Sequence, residues 1–164
     1  MRSAIAALLI LSALWACGPA PSGEGEGEGE PAFPVEIGSG RERFVALNDG
    51  ETAFLERGFQ GAQHVLVSVR LTGMPQDRYL VDFQLVRDDG LLLSEPSRVR
   101  VPFVETAEGA EVTGYRLVVG NESLDDALGA SATLSATVEA DEGSARDARE
   151  VEVELAPENY DPDA

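Results

Sequence analysis

The chain contains no lysine, one cysteine, one histidine and one tryptophan. With Cys17 as the only cysteine, no disulfide can form within the chain, so a folded core must be held together by packing alone. One cysteine and one histidine are also too few to build a tetrahedral structural zinc site. The absence of lysine excludes the glycine-rich phosphate loop that ends in lysine, so Gly58-Phe59-Gln60-Gly61 is interpreted as a turn.

The same shortages argue against an enzyme. A Ser-His-Asp or Cys-His arrangement would have to use His64, and no Gly-x-Ser-x-Gly turn or second thiol accompanies it. A lone histidine on a strand after a glycine-rich turn is more often a structural hydrogen-bonding residue than a catalytic one. We therefore predict no enzymatic activity, no catalytic residue and no required cofactor.

Positively charged residues are scarce as well. The 12 basic residues, all arginines, stand against 30 acidic residues, which gives a formal net charge of −18. Such a surface repels nucleic acid, so no nucleic-acid partner is expected. We interpret the acidity mainly as a contribution to solubility, with an acidic recognition surface as the alternative.

The N-terminus has the layout of a signal peptide. Arg2 precedes an apolar run, Ala4 to Leu14, that only Ser12 interrupts. About eleven residues are too few to cross a hydrocarbon core that needs roughly 20, so we do not expect a transmembrane helix. The run ends in Leu14-Trp15-Ala16-Cys17, and residues 1–16 are predicted to be the leader.

Leu14, Ala16 and Cys17 resemble the lipobox of bacterial lipoproteins. The resemblance implies that the leader is cut between Ala16 and Cys17, that the Cys17 sulfur carries a diacylglycerol, and that the new amino group is acylated. Two or three acyl chains give a stable membrane anchor, whereas one gives marginal binding. Gly18 after the cysteine favours, by the same resemblance, the outer membrane. The alternative is an ordinary secretory signal that leaves a soluble domain with a free thiol.

Residues 17–34 are predicted to be a disordered tether. Pro19, Pro21 and four Gly-Glu pairs from Gly23 to Glu30 offer no apolar area to repay ordering, and their carboxylates repel one another. A flexible coil of this length spans about 20–25 Å, so the following domain is expected to stand off the lipid surface.

From Val35 onward, apolar residues alternate with polar ones and turn signals recur about every eight to twelve residues, which predicts an all-β domain over residues 35–156. The predicted strands are Arg43–Leu47, Thr52–Leu55, Gln63–Leu71, Tyr79–Val86, Leu91–Leu93, Arg98–Val104, Val112–Val119, Ser131–Ala140 and Glu150–Leu155. The spacing resembles a single immunoglobulin-like or fibronectin type III-like antiparallel β-sandwich of seven to eight strands. A closed barrel or a jelly roll is the alternative.

Finer features are also predicted. Pro102, which lacks an N–H, marks Arg98–Val104 as an edge strand, and Gly114 marks a bulge. Ser123 to Gly129 is expected to form one helical turn, Asp141 to Asp147 a polar turn, and residues 157–164 a flexible tail. The predicted core consists of Val65, Val67, Val69, Val81, Phe83, Leu117, Leu134 and Val153.

The remaining candidate site is for Ca²⁺. Asn121, Glu122, Asp125 and Asp126 form the densest group of hard oxygen ligands in a loop, although the order of an EF-hand is absent. For function, we expect an envelope lipoprotein that acts as a binding or structural module, attached to the membrane through Cys17 and meeting an envelope protein or a surface ligand. The alternatives are an accessory subunit of an envelope assembly, or a soluble secreted domain with weak Ca²⁺ binding.

Overall fold

A computed structural model of the chain describes residues 33–58, 61–73, 78–120, 124–141 and 143–164. It contains ten strands and one short helix, in the order β1 (Val35–Ser39), β2 (Val45–Ala46), β3 (Glu51–Arg57), β4 (Gln63–Leu71), β5 (Arg78–Arg87), β6 (Ser97–Pro102), β7 (Val104–Thr106), β8 (Gly109–Val119), α1 (Leu124–Ala127), β9 (Ser131–Ala140) and β10 (Gly143–Leu155). The all-β class predicted from the alternating pattern is confirmed. No helix among these residues could span a lipid bilayer.

The strands form one strongly curled mixed sheet. Its order is β2-β1-β4-β3-β10-β9-β5-β6, with β8 paired to β4 and β7 paired to β8. Every pairing is antiparallel except the one between β3 and β10, where Glu51 to Leu55 run parallel to Val151 to Leu155. The parallel pair departs from the predicted antiparallel arrangement, and the ten strands form a mixed sheet that is not clearly divided into the two layers of an immunoglobulin-like sandwich.

The physical reason for the continuous sheet lies in its long strands. β4 pairs along one edge with β8, while its other edge is shared by β1 near Leu71 and by β3 near Gln63. β10, which is 13 residues long, pairs with β9 and then with β3. β4 thus pairs with three strands and β10 with two. The hydrogen-bonded pairing therefore runs through these strands without a clear division into two layers.

Two edge strands of the sheet are consecutive in the chain. Among the described residues, β6 pairs with β5 alone and β7 with β8 alone, and the buried residue Phe103 joins the two strands. The predicted edge Arg98–Val104 therefore covers most of β6 and the start of β7. The curl also brings the segment before β6 against β8, since Glu95 N–H donates to the Val118 carbonyl at 2.8 Å.

The curl encloses a single apolar core. All eight residues predicted to form it are buried, with exposed fractions between 0 and 3%. Phe33 is also buried and lies 6.5 Å from the Tyr79 ring, so packing begins two residues before the predicted start of the domain. The predicted bulge at Gly114 is confirmed, because the β4–β8 register shifts between Val67 and Val69.

The outer face of β4 is covered by chain segments. Ser68, fully buried, donates its hydroxyl to the Gly40 carbonyl at 3.1 Å. The Arg70 guanidinium lies 4.1 Å from the centre of the Phe44 ring. Ser68 and Arg70 lie on the face of β4 that is turned away from the core, and the residues around Gly40 to Phe44 shield this part of the face from water.

The C-terminal residues also contact this face. The Asp163 carboxylate accepts the backbone N–H groups of Arg41 at 2.8 Å, Glu42 at 3.0 Å and Arg43 at 3.2 Å. The Tyr160 ring lies 4.5 Å from the ring of Phe54. The segment predicted to be a flexible tail thus makes specific contacts with the loop that follows β1.

Candidate functional site

The residues of the predicted lipidation site lie outside the described part of the chain. Ala16 and Cys17 both precede residue 33, where the description begins. The cleavage and acylation of Cys17 therefore stay predictions. So does the tether predicted over residues 17–34, of which the structure describes only Phe33, which is buried, and Pro34.

Half of the predicted Ca²⁺ group is described. Asn121 and Glu122 lie outside the described residues, while Asp125 and Asp126 are exposed on α1. The Asp126 carboxylate pairs with the Arg87 guanidinium at 3.1 Å, and Arg87 also pairs with Asp89 at 2.7 Å. Within the described ranges, no three His, Cys, Asp or Glu side chains lie close enough together to hold a metal ion. Calcium binding here stays a prediction that the structure does not strengthen.

A surface pocket forms instead where β3, β4 and β8 lie side by side. β4 begins at Gln63, and the alternation of its side chains turns His64 away from the core occupied by Val65 and Val67. Glu56 is opposite His64 on β3, and Val118 is opposite it on β8. The register of these strands therefore places a histidine and a glutamate on one face of the sheet.

The pocket has a volume of about 490 Å³, within the range of small-molecule sites. Its lining combines charged and polar side chains with the apolar Ala62 and Val118, and it includes no hydroxyl or thiol nucleophile among the described residues. The lining residues are Arg41, Glu56, Arg57, Gly58, Ala62, His64, Arg116 and Val118.

Glu56 and His64 are held at the base of this pocket. One oxygen of Glu56, Oε2, pairs with the Arg41 guanidinium at 2.5 Å and lies 3.7 Å from His64 Nε2, which is too long for a hydrogen bond. The side chains of Glu56 and His64 are only 13% and 7% exposed. Glu56 Oε1 and His64 Nε2 are both buried without a hydrogen-bond partner in the described structure.

The environment of His64 favours its neutral form. Burial lowers the pKa of His64, an effect that the Glu56 carboxylate partly opposes and that Arg116 and Arg41 reinforce. A neutral imidazole carries one donor and one acceptor nitrogen, so Nε2 can serve in either role according to the tautomer.

The charge of the pocket is opposite to that of the chain. Three of the 12 arginines line it, and Glu56 is the only acidic residue among the lining residues. Arg41 is engaged with Glu56, whereas Arg57 and Arg116 have no ion pair or side-chain hydrogen bond with any described residue. The arrangement can therefore attract and hold an anionic group.

Comparison with known proteins adds no relative. No family model, no curated protein and no solved structure matches this chain. Its function must be argued from the site itself.

His64 was a candidate from the sequence, but the residues that surround it in the pocket were not. Glu56 and Arg57 end a strand whose predicted range stopped at Leu55, and Arg116 lies on a different strand 59 residues further along the chain. One signal was available, since arginines at the ends of strands are notable in a chain with so few basic residues. Which of the arginines meet depends on the pairing of β3, β4 and β8, and the alternating pattern does not contain that information.

Proposed function

We propose that the chain is an exported bacterial envelope lipoprotein whose β domain acts as a membrane-anchored binding module. The anchor is supported by Leu14-Trp15-Ala16-Cys17 and by the Gly-Glu segment that separates it from the domain. The module is supported by the pocket around His64. On this proposal the lipid on Cys17 is the membrane contact, and the outer membrane is the destination.

The position of the pocket carries this proposal. The chain enters the domain at Val35, which pairs with Leu71 at one end of β4, while His64 lies near the other end. Seven residues of strand at about 3.3 Å each separate the two ends by roughly 23 Å. A domain tethered through Val35 thus carries its pocket on the end away from the point of attachment, where a ligand can reach it.

The test is the chemistry and location of the mature N-terminus. Mass spectrometry of the full chain, expressed in a diderm bacterium, should give a species that begins at Cys17 and carries diacylglycerol and acyl mass. Membrane fractions separated by density should contain it with the outer membrane. A Cys17→Ser variant is the matched control and should leave the membrane fraction. A wild-type N-terminus without acyl mass would refute the anchor and favour a soluble secreted domain.

An accessory subunit of an envelope assembly is the second candidate. It is favoured by β6, which pairs with β5 on one side only and has an exposed Arg98 and Arg100. A partner strand could add to this edge. Crosslinking of intact cells through a photoreactive residue at Arg100 should then yield one defined adduct, and a control at Glu152 on β10 should yield none.

We also keep a relationship to immunoglobulin-like domains as a proposal. Its support is the domain length and the curling of a mostly antiparallel sheet around one core. The parallel pairing of β3 with β10 departs from a purely antiparallel sandwich. An experimental structure that superposes its strands on those of an immunoglobulin-like domain, in the same order, would establish the relationship.

A further inference from the structure

The two unpartnered atoms at the base of the pocket define what a ligand must supply. Folded proteins pair nearly all of their buried polar atoms, so a buried polar atom without a partner indicates that a hydrogen-bonding partner is missing. Glu56 Oε1 and His64 Nε2 are such atoms, and both belong to side chains that line the pocket. The inference below rests on the proposed binding module and specifies its ligand.

Glu56 sets the first requirement, a hydrogen-bond donor. Its Oε2 is occupied by Arg41, and its Oε1 can accept hydrogen bonds but cannot donate them as long as the carboxyl is ionised. A hydroxyl group is suited to this position because its O–H can donate to Oε1 while its oxygen accepts from His64 Nε2–H, in the tautomer protonated at Nε2. An inorganic anion without a donor would bring its negative charge against Glu56 and leave Oε1 unpaired.

Arg57 and Arg116 set the second requirement, an anionic group. Both line the pocket, and both lack an ionic partner among the described residues. Arginine binds carboxylate and phosphate oxygens through paired N–H groups. In a chain of net charge −18, a pocket with an excess of positive charge concentrates small anions that the rest of the surface repels.

We propose that this pocket binds a small polyhydroxylated anion, either a sugar acid or a sugar phosphate. Its carboxylate or phosphate is held by Arg57 and Arg116, and its hydroxyls satisfy Glu56 Oε1 and His64 Nε2. The volume of about 490 Å³ accommodates a ligand of monosaccharide size.

Isothermal titration of the full chain in detergent micelles tests this proposal, with glucuronate and glucose 6-phosphate as the probes. Glucose, acetate and sulfate are the controls, because at neutral pH each supplies only the hydroxyls or only the anion. We expect at least one probe to bind ten-fold or more tightly than all three controls. The stronger of the two probes identifies a carboxylate or a phosphate as the preferred anionic group. Equal binding of acetate or sulfate would refute the role of the hydroxyls.

Charge-matched variants locate the binding. Arg116→Gln and Arg57→Gln should each weaken the bound probe at least five-fold, and both side chains are exposed, so neither change should disturb folding. Arg100→Gln removes the same charge from exposed β6, outside the pocket, and should change affinity less than two-fold. Equal losses in all three variants, or no loss in any, would overturn the assigned site.

The failure of this inference can be told apart from a failure of the anchor. A chain that begins at acylated Cys17 and binds neither probe refutes the ligand and leaves the anchored lipoprotein in place. A chain that binds glucuronate but carries no lipid supports the ligand and refutes the anchor. The two measurements use the same preparation and different readouts.

Discussion

Removal of the Phe83 ring should strongly destabilise the domain. Phe83 is fully buried, and its ring is stacked on that of Tyr115 with a centroid distance of 4.3 Å and an angle of 14°. The two residues lie on β5 and β8, close to the point where the segment before β6 contacts β8. The Phe83 ring therefore connects parts of the sheet that no ladder joins directly.

The expected magnitude follows from the burial. Truncation of a buried phenylalanine to alanine costs about 3–5 kcal/mol, through lost apolar contacts and the cavity left behind. Loss of the stacked pair places Phe83→Ala toward the upper end, since such pairs contribute about 0.5–1.5 kcal/mol beyond their buried area. Against a typical domain stability of about 5–15 kcal/mol, this loss is a third or more of the total for most of that range.

Urea unfolding followed by circular dichroism measures the effect. With a slope of about 2 kcal/mol per molar, the midpoint for Phe83→Ala should fall by roughly 1.5–2.5 M. Tyr115→Phe is the matched control, because it keeps the stacked ring and removes only the hydroxyl that bonds to Ser97. Its cost should be about 0.5–1.5 kcal/mol. A loss below about 1 kcal/mol for Phe83→Ala would show that this ring is not part of the core.

Three further predictions concern the pocket and the segments around it. Burial lowers the pKa of His64, so as the pH falls below about 6.5 the unfolded chain takes up a proton at this residue before the folded chain does. The stability of the domain should therefore decrease below that pH. The variant His64→Gln should flatten the decrease, as measured by thermal melts at several pH values. Backbone hydrogen bonds, led by that from Glu42, lower the pKa of Asp163, so its stabilisation is present above the ordinary value of 3.8 and is lost below it. Asp163→Asn should lower the melting temperature at pH 7, with a smaller difference below pH 4, and equal differences at both pH values would contradict the contact. Gly114→Ala would place a Cβ 2.6 Å from the Arg41 carbonyl oxygen, whereas the Cβ of the control Gly90→Ala meets no atom. Gly114→Ala should therefore lower the free energy of unfolding by more than the roughly 1–2 kcal/mol of an alanine in the left-handed conformation. Equal urea midpoints for the two variants would count against the close approach.

Strands with a clear alternation were predicted well from the sequence. β4 and β9 have the bounds that the pattern indicated, because each presents an unbroken row of apolar residues to the core. Turn signals such as Asp88-Asp89-Gly90 were equally informative, and Gly90 adopts the positive φ of 90° that the turn requires. Local chemistry dictates these features, so a local pattern reveals them.

Features that depend on long-range pairing were missed. β1 was not predicted, because its five residues include a glycine and its pairing with β4 provides the order that its own composition lacks. Residues 143–147 were predicted as a turn and instead begin β10, where Asp147 accepts the Ile37 N–H at 2.8 Å. The pocket belongs to the same class of feature, since Glu56, His64 and Arg116 come together only through the order of the strands.

The central position of β10 has a consequence for how the domain forms. The parallel pair joins residues 51–55 to residues 151–155, so a strand near the middle of the sheet comes from the end of the chain. During synthesis, which begins at the N-terminus, the strands therefore form two separate groups until β10 is available to join them. The pairing of β3 with β10 closes a loop of about 100 residues, and the entropy cost of closing so long a loop predicts slow folding. The domain can therefore complete its sheet only when residues 151–155 are free to pair with residues 51–55.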